Sequence, residues 1–267
     1  MAGRGVVPHA WFLSRTPDCR ISQEKTIPDI VKDILDLHGF TGCQFKTTGT
    51  DTPLTSCVQY RESALDSISR LMQQAGIYRW REHADGEHTM IIADDNRAAP
   101  LASYPDLPIA GGEQTGAIHR LDEEFVMRSG VWTRRDYNFE TSAMDLQVDA
   151  PTALSVAQMT GRERCDYPGL RGHPREGRTV ANLRMQEEEA HHQRRHGQSG
   201  FAGRHAGLRI KIDGTDDPEV LVTEVRHQAE DDSHWSGEMW GGRQPRAPSY
   251  RNSFVCIPKR LPFWPSG

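Results

Sequence analysis

The sequence predicts an α+β fold that is mainly β. Two amphipathic helical stripes lie within the first third of the chain, and short β-like runs surround them. After residue 118 the chain carries mostly β-like runs and one polar stretch rich in helix formers. With 267 residues and a mass of 30.1 kDa, the chain is long enough to bury a core in one large domain or in two modest ones.

A first helix is predicted between Thr26 and Gly39. Thr26 is a typical N-cap residue, and Pro28 is tolerated in the first turn because the N–H that it lacks would have no helical partner there. Gly39 suits the left-handed position at which many helices end. The apolar positions recur at the spacing of one helical face and are Ile27, Ile30, Val31, Ile34 and Leu35.

A second helix is predicted from Ser63 to Gly76. Ser63 and Asp66, three residues apart, resemble the capping box that begins many helices. The apolar stripe consists of Leu65, Ile68, Leu71, Met72 and Ala75. Gly76 is again placed to end the helix.

Short strands flank these helices. They are predicted at 43–47 and 57–60, with a loop at 48–53 between them. A β-hairpin is predicted from 77 to 93, because Asp85-Gly86 suits a tight turn between two β-like runs.

A linker that forms the domain boundary is predicted at 97–117, where three prolines and three glycines interrupt any periodicity. The predicted domains are therefore 1–96 and 118–267. In the second domain, strands are predicted at 125–127, 131–139, 144–148, 208–212, 220–227 and 253–257, and a helix is predicted at 178–196.

Charge and hydropathy argue against several function classes. The net charge of −5 gives no global attraction to nucleic acid or to an anionic membrane. No apolar run approaches the roughly 18 residues that a membrane-spanning helix needs. The N-terminal sequence lacks the apolar core of a secretory signal peptide. We therefore expect a globular protein made in the cytoplasm, without a nucleic-acid partner or stable membrane insertion.

The cysteines favour a reducing compartment. They are odd in number, widely scattered and without a Cys-x-x-Cys pair: Cys19, Cys43, Cys57, Cys165 and Cys256. This pattern favours free thiols over a disulfide framework.

Histidines are the first candidates for chemistry. His191, His192 and His196 fall in the predicted helix, where the last two, four residues apart, would share one face and could bind a metal. The zincin pattern requires a glutamate directly after the first histidine, and Gln193 stands there. Flanking charges favour a solvated helix face instead. A second pair, His83 and His88, flanks the predicted hairpin turn and is interpreted as exposed polar residues.

No other motif indicates catalysis. The sequence has no Gly-x-Ser-x-Gly elbow, no P-loop and no Gly-x-Gly-x-x-Gly run after a strand. The carboxylate pairs Asp94/Asp95, Glu123/Glu124 and Asp231/Asp232 fall at loops or strand starts, where solvation explains them. We therefore nominate no catalytic, cofactor-binding or metal-binding residue.

Both ends of the chain carry apolar and proline-rich residues. Trp11 and Phe12 lie near the start, and Pro262-Phe263-Trp264-Pro265 lies near the end. Exposed apolar ends are usually covered by another subunit or by further polypeptide, so both ends are expected to be cut.

A series of short motifs runs in one order over residues 11–264. They are Trp11-Phe12-Leu13-Ser14-Arg15, Asp18-Cys19-Arg20-Ile21, Cys57-Val58-Gln59-Tyr60-Arg61-Glu62-Ser63, Gly76-Ile77-Tyr78, Glu82-His83, His88-Thr89, Ala93-Asp94-Asp95, Asp136-Tyr137-Asn138-Phe139, Asp166-Tyr167-Pro168-Gly169, Leu221-Val222-Thr223-Glu224-Val225-Arg226-His227, Asn252-Ser253-Phe254, Ile257-Pro258 and Pro262-Phe263. In this order and spacing they resemble the VgrG family of type VI secretion spike proteins, which includes the Vgr proteins of Rhs elements.

The resemblance implies two β-barrel-like hub domains with helical insertions, as in phage baseplate hubs of the late-control protein D group. Residues 1–96 would be the remainder of the first barrel with a helical and hairpin insertion. Residues 118–267 would form the second barrel and end just before an OB-fold and a spike begin. The chain is thus expected to be a truncated hub.

The resemblance also implies a structural role without enzymatic activity or cofactors. The expected partners are two further copies in a homotrimer, a hexameric inner-tube protein, the spike, and effector or adaptor proteins. Assembly would occur in the cytoplasm, with delivery outside the cell or into a target cell by type VI secretion. Two alternatives remain open: a late-control hub of a phage or other contractile tail, and a metal-dependent enzyme that uses the histidines named above.

Overall fold

The computed structural model describes residues 7–49, 52–84, 86–110, 116–137, 143–167, 174–230 and 249–263. The chain divides into two compact units, one formed by Met1–Ala98 with Phe263–Gly267 and the other by Ala99–Pro262. Strands outnumber helices in both units, so the predicted mainly β fold class is confirmed. Within the described residues, no helix is both long and apolar enough to cross a membrane.

Unit 1 contains an antiparallel two-stranded ribbon. A 3-10 helix at His9–Arg15 precedes strand β1 (Pro17–Lys25), which pairs with β3 (Leu54–Ser63). The predicted strand at 57–60 is thus the middle of a longer one. A β-bulge between Asp18 and Cys19 shifts the register by one residue near the start of β1.

The two predicted helices are confirmed. Helix α1 (Ile27–Leu37) begins at Thr26, whose side chain accepts a hydrogen bond from the Asp29 N–H. Helix α2 (Ala64–Ala75) begins in the same way at Ser63, with the Asp66 N–H as donor. Their apolar faces and the 3-10 helix pack into one core, with buried members that include Leu13, Ile27, Ile30, Val31, Ile34, Leu35, Ile68, Leu71 and Met72.

A three-stranded sheet completes the core of unit 1. Strand β4 (Tyr78–Ala84) and β5 (Glu87–Ala93) form the predicted hairpin, and β2 (Cys43–Lys46) pairs with β5 in parallel. The order is β2-β5-β4. Met90 and Ile92 of the central strand face the helices.

A late residue of the chain returns to unit 1. The ring centroid of Phe263 lies 4.9 Å from that of Tyr78 in an edge-to-face arrangement. Asn96, in a short 3-10 helix at Asn96–Ala98, accepts hydrogen bonds at Oδ1 from the Tyr78 hydroxyl at 3.2 Å and from the Phe263 N–H at 3.1 Å. The buried Asn96 amide therefore joins its own segment to Phe263, 167 residues further along the chain.

Unit 2 is built on a six-stranded sheet. In sheet order its strands are β6 (Leu101–Leu107), β12 (Arg209–Ile212), β13 (Glu219–Glu230), β14 (Ser249–Pro258), β11 (Gln193–Ser199) and β7 (Ile118–Phe125). The strands predicted at 208–212 and 220–227 are confirmed and pair with each other, and the predicted last strand is also confirmed.

The linker predicted at 97–117 is wrong in its central part. Leu101–Leu107 forms β6, which pairs in parallel with β12, and the division between the units falls at Ala98. β6 is an edge strand, where a proline can be tolerated because its missing N–H can face away from the partner. Proline content therefore misled the sequence prediction.

The inner face of the six-stranded sheet carries an apolar core. Its buried members are Leu107, Ile118, Ile210, Ile212, Val220, Val222, Phe254 and Cys256. Gly197 of β11 is the cross-strand partner of Phe254, and a Cβ atom at Gly197 would overlap the Phe254 ring. Glycine is required there by this close approach.

A smaller sheet and the third helix form the rest of unit 2. Strands β10 (Glu163–Asp166), β8 (Val131–Arg134) and β9 (Val148–Pro151) lie in that order. Helix α3 (Pro174–Ala190) packs on them. The buried contact consists of Trp132, Val148, Ala150, Ala181 and Met185.

Four predictions for the second half need correction. The strand predicted at 131–139 ends at Arg134, with 138–142 outside the described residues, and the one predicted at 144–148 begins only at Val148. The run predicted at 125–127 is the end of β7. The helix predicted at 178–196 ends at Ala190 because 193–199 pair with strands on both sides. Tertiary pairing there overrides a run of good helix formers.

Candidate functional site

The outer face of the β1–β3 ribbon is the strongest candidate site. Alternation along each strand turns Ser22, Cys57 and Gln59 inward, where Cys57 packs against the core of unit 1 and Gln59 is buried. The opposite face presents Cys19, Ile21, Val58 and Tyr60 to solvent. We call these four side chains the ribbon patch.

Register makes the ribbon patch contiguous. Ile21 is paired with Val58, and Cys19 is paired with Tyr60, so the four side chains are neighbours across the two strands. Ile21 is 70% exposed, Val58 50% and Tyr60 65%. A contiguous apolar surface of this kind marks an interaction site more often than scattered exposed apolar residues do.

Charged side chains surround the ribbon patch. Arg61 places its guanidinium 5.2 Å from the centroid of the Tyr60 ring. Arg20 pairs with Asp18 at 2.5 Å, and Arg70 pairs with Glu62. The hydrogen bond from Arg70 lowers the pKa of Glu62, so this carboxylate remains charged at neutral pH. The apolar patch thus has a polar rim, as protein interfaces do.

The ribbon also offers unpaired backbone. Within the described part of the chain, β1 and β3 pair only with each other, so each strand has one edge without a ladder partner. Such edges can accept an added strand through main-chain hydrogen bonds. The ribbon can therefore bind a partner through its edges as well as through its outer face.

The outer face of the six-stranded sheet is chemically different. It carries ion pairs between Arg120 and Asp122 at 2.7 Å and between Arg226 and Glu224 at 3.5 Å. His196 on the same face lies 3.1 Å from Glu124. These exposed pairs are satisfied in water and contribute little to stability.

The predicted helical pairing of His192 with His196 is wrong. His192 lies in the turn after α3, where its Nδ1 is 2.8 Å from the Val126 carbonyl oxygen, and His196 lies in β11. An extended chain of four residues spans about 13 Å, which is beyond the reach of one metal ion. Burial and the nearby Arg194 lower the pKa of His191, which favours its neutral form.

The hairpin histidines are brought together as cross-strand partners. His83 and His88 face each other with ring centroids 6.4 Å apart. Among the residues that the structure describes, no group of three or more His, Cys, Asp or Glu side chains is placed to hold a metal ion. That no residue binds a metal or performs catalysis stays a prediction.

Carboxylates of two of the predicted pairs accept hydrogen bonds from nearby groups of the fold. Asp94 accepts hydrogen bonds from the N–H groups of Thr48 and Gly49, both at 2.8 Å, and so fixes the loop after β2. Glu123 accepts a hydrogen bond at 2.8 Å from the buried Arg195. The Asp231/Asp232 pair lies outside the described residues.

The ribbon patch is not predicted by the sequence patterns described above. Val58 and Tyr60 fall in a predicted strand, whereas no strand is predicted at Cys19 and Ile21. The available signal was the alternation of apolar with polar residues in both segments, which is typical of strands with two distinct faces. The pairing itself joins positions about 40 residues apart and is not visible in local sequence.

A family model described as the phage tail baseplate hub (GPD) matches residues 5–233. The chain belongs to this family. The chain is 30% identical to the type VI secretion system spike protein VgrG1a of Pseudomonas aeruginosa over 260 residues, and this alignment covers 94% of the chain. The predicted family resemblance is thereby confirmed. The chain spans only 39% of the length of VgrG1a.

Solved structures confirm the hub-like fold. A component of the Escherichia coli type VI secretion system, described as similar to the T4 bacteriophage tail proteins gp27 and gp5, aligns with a TM-score of 0.63 at 19% identity. The alignment covers 97% of this hub-family chain and 56% of the other. A 43 kDa prophage tail protein from Shewanella oneidensis also gives 0.63, at 11% identity, with 96% and 73% covered.

Proposed function

We propose that this hub-family chain is a structural component of a type VI secretion system, where it links the inner tube to the spike during effector delivery. The match to the baseplate hub family over residues 5–233 carries the proposal. The similarity to a type VI spike protein over nearly the whole chain favours this machine over other contractile tails.

The ribbon patch is proposed as the surface that associates with neighbouring subunits. Its apolar side chains Ile21, Val58 and Tyr60 would leave water on association, which is the main favourable contribution to most protein interfaces. The proposed assembly is a homotrimer that contacts a hexameric inner-tube protein, a spike, and effector or adaptor proteins. In this proposal residues 1–96 and 118–267 contribute to two successive hub barrels, and the protein is assembled in the cytoplasm and leaves the cell with the machine.

The proposal predicts no turnover by this chain. A metal-dependent hydrolase built on its histidines would be the contrary case. Assays on peptidoglycan, nucleic acid and esters should give no activity above background, and a turnover that disappears in His192→Ala would overturn this part of the proposal.

The first experiment is the molar mass of the purified, untagged chain by light scattering. A stable species of about 90 kDa, three times the chain mass of 30.1 kDa, is the expected result for a trimeric hub. A monodisperse monomer up to high micromolar concentration would overturn the proposal that the chain trimerises by itself.

A second candidate is the hub of a phage tail. The prophage tail protein from Shewanella oneidensis matches the fold as well as the type VI component does, with the same TM-score of 0.63. The two machines differ in their tube proteins. Purified inner-tube protein of each type can be tested for retention by this chain, and retention of the phage protein alone would favour the second candidate.

A further inference from the structure

An arginine is buried in unit 2 without a hydrogen-bond partner. Arg204 lies in the connection between β11 and β12 and is only 3% exposed. None of its three guanidinium nitrogens has a hydrogen-bond acceptor among the residues that the structure describes. Buried charged groups in proteins are ordinarily paired, so this side chain requires an explanation.

Two aromatic rings hold the guanidinium in place. It lies 5.1 Å from the centroid of the Phe201 ring and 5.6 Å from that of Phe254. Cation–π contacts at these distances are favourable but leave every N–H of the guanidinium without an acceptor. The two rings therefore position the guanidinium but provide no acceptor for its N–H groups.

The guanidinium remains charged at neutral pH. Burial lowers the pKa of Arg204 to about 10, which is still well above neutrality. The groups that act on it in the opposite direction are the Cys256 thiol and the Tyr250 phenol. Burial raises the pKa of the Cys256 thiol to about 12, so this thiol supplies no compensating negative charge at neutral pH. The surroundings of Arg204 thus hold one uncompensated positive charge, which suits a monoanion.

A hydrogen-bonded frame supports this arrangement. Asn252 donates from Nδ2 to the Phe201 carbonyl oxygen at 2.7 Å and accepts at Oδ1 from the Ser199 hydroxyl at 3.2 Å. The Ser199 hydroxyl in turn accepts from the Phe201 N–H at 3.3 Å. The backbone at Phe201 is therefore fixed from both sides, while its ring is only half-buried.

An aromatic rim leads from the arginine to solvent. The Phe201 ring makes an edge-to-face contact with Tyr104, with centroids 6.3 Å apart, and Tyr104 is 73% exposed. An exposed aromatic side chain beside a buried arginine combines the two residue types that are enriched at the centres of protein interfaces.

From this arrangement we infer that Arg204 receives the carboxylate of an aspartate or glutamate side chain from a partner protein. The planar fork of a guanidinium donates two parallel N–H···O bonds to a carboxylate. For the carboxylate to reach Arg204, the half-buried Phe201 ring must move aside, and an apolar side chain beside the acidic residue would then pack on Phe201 and Tyr104. The inference is independent of the proposed hub role, because each test below uses the single chain.

The first test measures the melting temperatures of the wild-type chain and of Arg204→Met. Each protein is measured in sodium acetate and in sodium chloride at equal ionic strength. In chloride, the variant should melt at least 2 °C higher, because it removes an unpaired buried charge. Acetate at several times its dissociation constant should raise the wild-type melting temperature by about 2–4 °C relative to the variant.

The variant also serves as the control for general salt effects. An equal rise in both proteins would mean that acetate acts by exclusion from the surface and would overturn the inference. A wild-type response to sulfate as large as that to acetate would overturn the choice of carboxylate. If Arg204→Met does not fold, the Nε–H resonance of Arg204 in the wild-type chain gives the answer, since acetate must shift it.

The second test distinguishes a protein carboxylate from a small free one. The peptide acetyl-Leu-Glu-Leu-amide should bind at least tenfold more tightly than acetate, and its glutamine counterpart should not bind. Tyr104→Ala should weaken binding of the glutamate peptide but not of acetate, because only the peptide reaches the exposed ring. Equal affinity for peptide and acetate would overturn the assignment to a partner protein.

Discussion

The outer face of the β1–β3 ribbon and that of the six-stranded sheet follow the same strand alternation but expose opposite chemistry. On the ribbon the solvent side is apolar, with Ile21 70% exposed opposite Val58. On the sheet it carries charged neighbours such as Arg120 and Asp122. The charged pairs of the sheet are already solvated, whereas covering the apolar outer face of the ribbon lowers the free energy. The site of association can therefore be located by chemistry, because the strand geometry of both faces is alike.

The largest effect is expected on the inner face of the six-stranded sheet, whose buried side chains should contribute most to the stability of unit 2. Phe254→Ala should lower the free energy of unfolding of unit 2 by about 3–5 kcal/mol, because it removes a fully buried ring and leaves a cavity above Gly197. Urea denaturation followed by circular dichroism measures the change. The neighbouring Val255→Ala, on the half-buried outer side, should cost less than about 1.5 kcal/mol. Similar costs for the two variants would contradict the distinction between the faces.

The next effect tests the ribbon patch as an association surface. Val58→Lys should weaken self-association at least tenfold, equivalent to about 1.4 kcal/mol, because a charge would be buried in an apolar contact. Light scattering across a dilution series reports the change. Stability of the monomer should stay within about 0.5 kcal/mol, since Val58 is exposed before association.

Ser253→Lys is the matched control for this variant. Ser253 is an exposed residue on the polar face of the six-stranded sheet, so the same new side chain should leave the molar mass unchanged. If Ser253→Lys dissociates the assembly and Val58→Lys does not, the sheet rather than the ribbon is the contact surface.

A smaller effect is expected at Ser63, where strand β3 of the ribbon continues into helix α2. Ser63 ends β3 and also caps α2 through its hydroxyl, so Ser63→Ala should destabilise unit 1 by about 1 kcal/mol. Amide hydrogen exchange should increase first at Asp66, whose N–H loses its acceptor. Ser56→Ala on the same strand, exposed and distant from the cap, should have no measurable effect.

The smallest effect concerns charge within the sheet. Burial raises the pKa of Glu219, but hydrogen bonds and charge from Lys259 and Arg209 outweigh it and lower the pKa below its ordinary value. A lowered folded-state pKa stabilises the protein above the unfolded-state pKa of about 4.3, and this contribution is lost as the pH falls through the folded value. Between pH 6 and pH 3, urea midpoints of Glu219→Gln should therefore fall less steeply than those of the wild type.

Glu224→Gln provides the comparison for that measurement. Glu224 pairs with Arg226 on the exposed face at 3.5 Å, so Glu224→Gln should change the free energy of unfolding by less than about 0.5 kcal/mol. An equal flattening in both variants would show that the two carboxylates contribute alike.

Local signals in the sequence were enough to predict the two helices and the hairpin of unit 1. Thr26, Ser63, Gly39 and Gly76 set the helix ends through contacts within a few residues, and the hairpin turn is equally local. Unit 2 depends on distant pairing. β11 contains helix formers, yet it is extended because β7 and β14 bind its two edges. β6 follows a proline and contains another, and its identity as a strand depends on β12, about 100 residues later.

The candidate sites differ in the same way. Alternation in sequence marks both strands of the ribbon, so the outward direction of Val58 and Tyr60 could be anticipated once the strand was recognised. Nothing near Arg204 in sequence indicates that it is buried without an acceptor. That property arises from Phe254, 50 residues further along the chain, which covers the guanidinium from the sheet.

The contact of Phe263 with Tyr78 also has a consequence for biosynthesis. Ribosomes release the chain from its N-terminus, so Tyr78 and Asn96 are available long before Phe263 is made. All of unit 2 is translated in between. Until then the Tyr78 ring and the Asn96 amide lack the Phe263 partner that covers them in the finished molecule. The first unit to emerge from the ribosome is thus the last to acquire its full set of contacts.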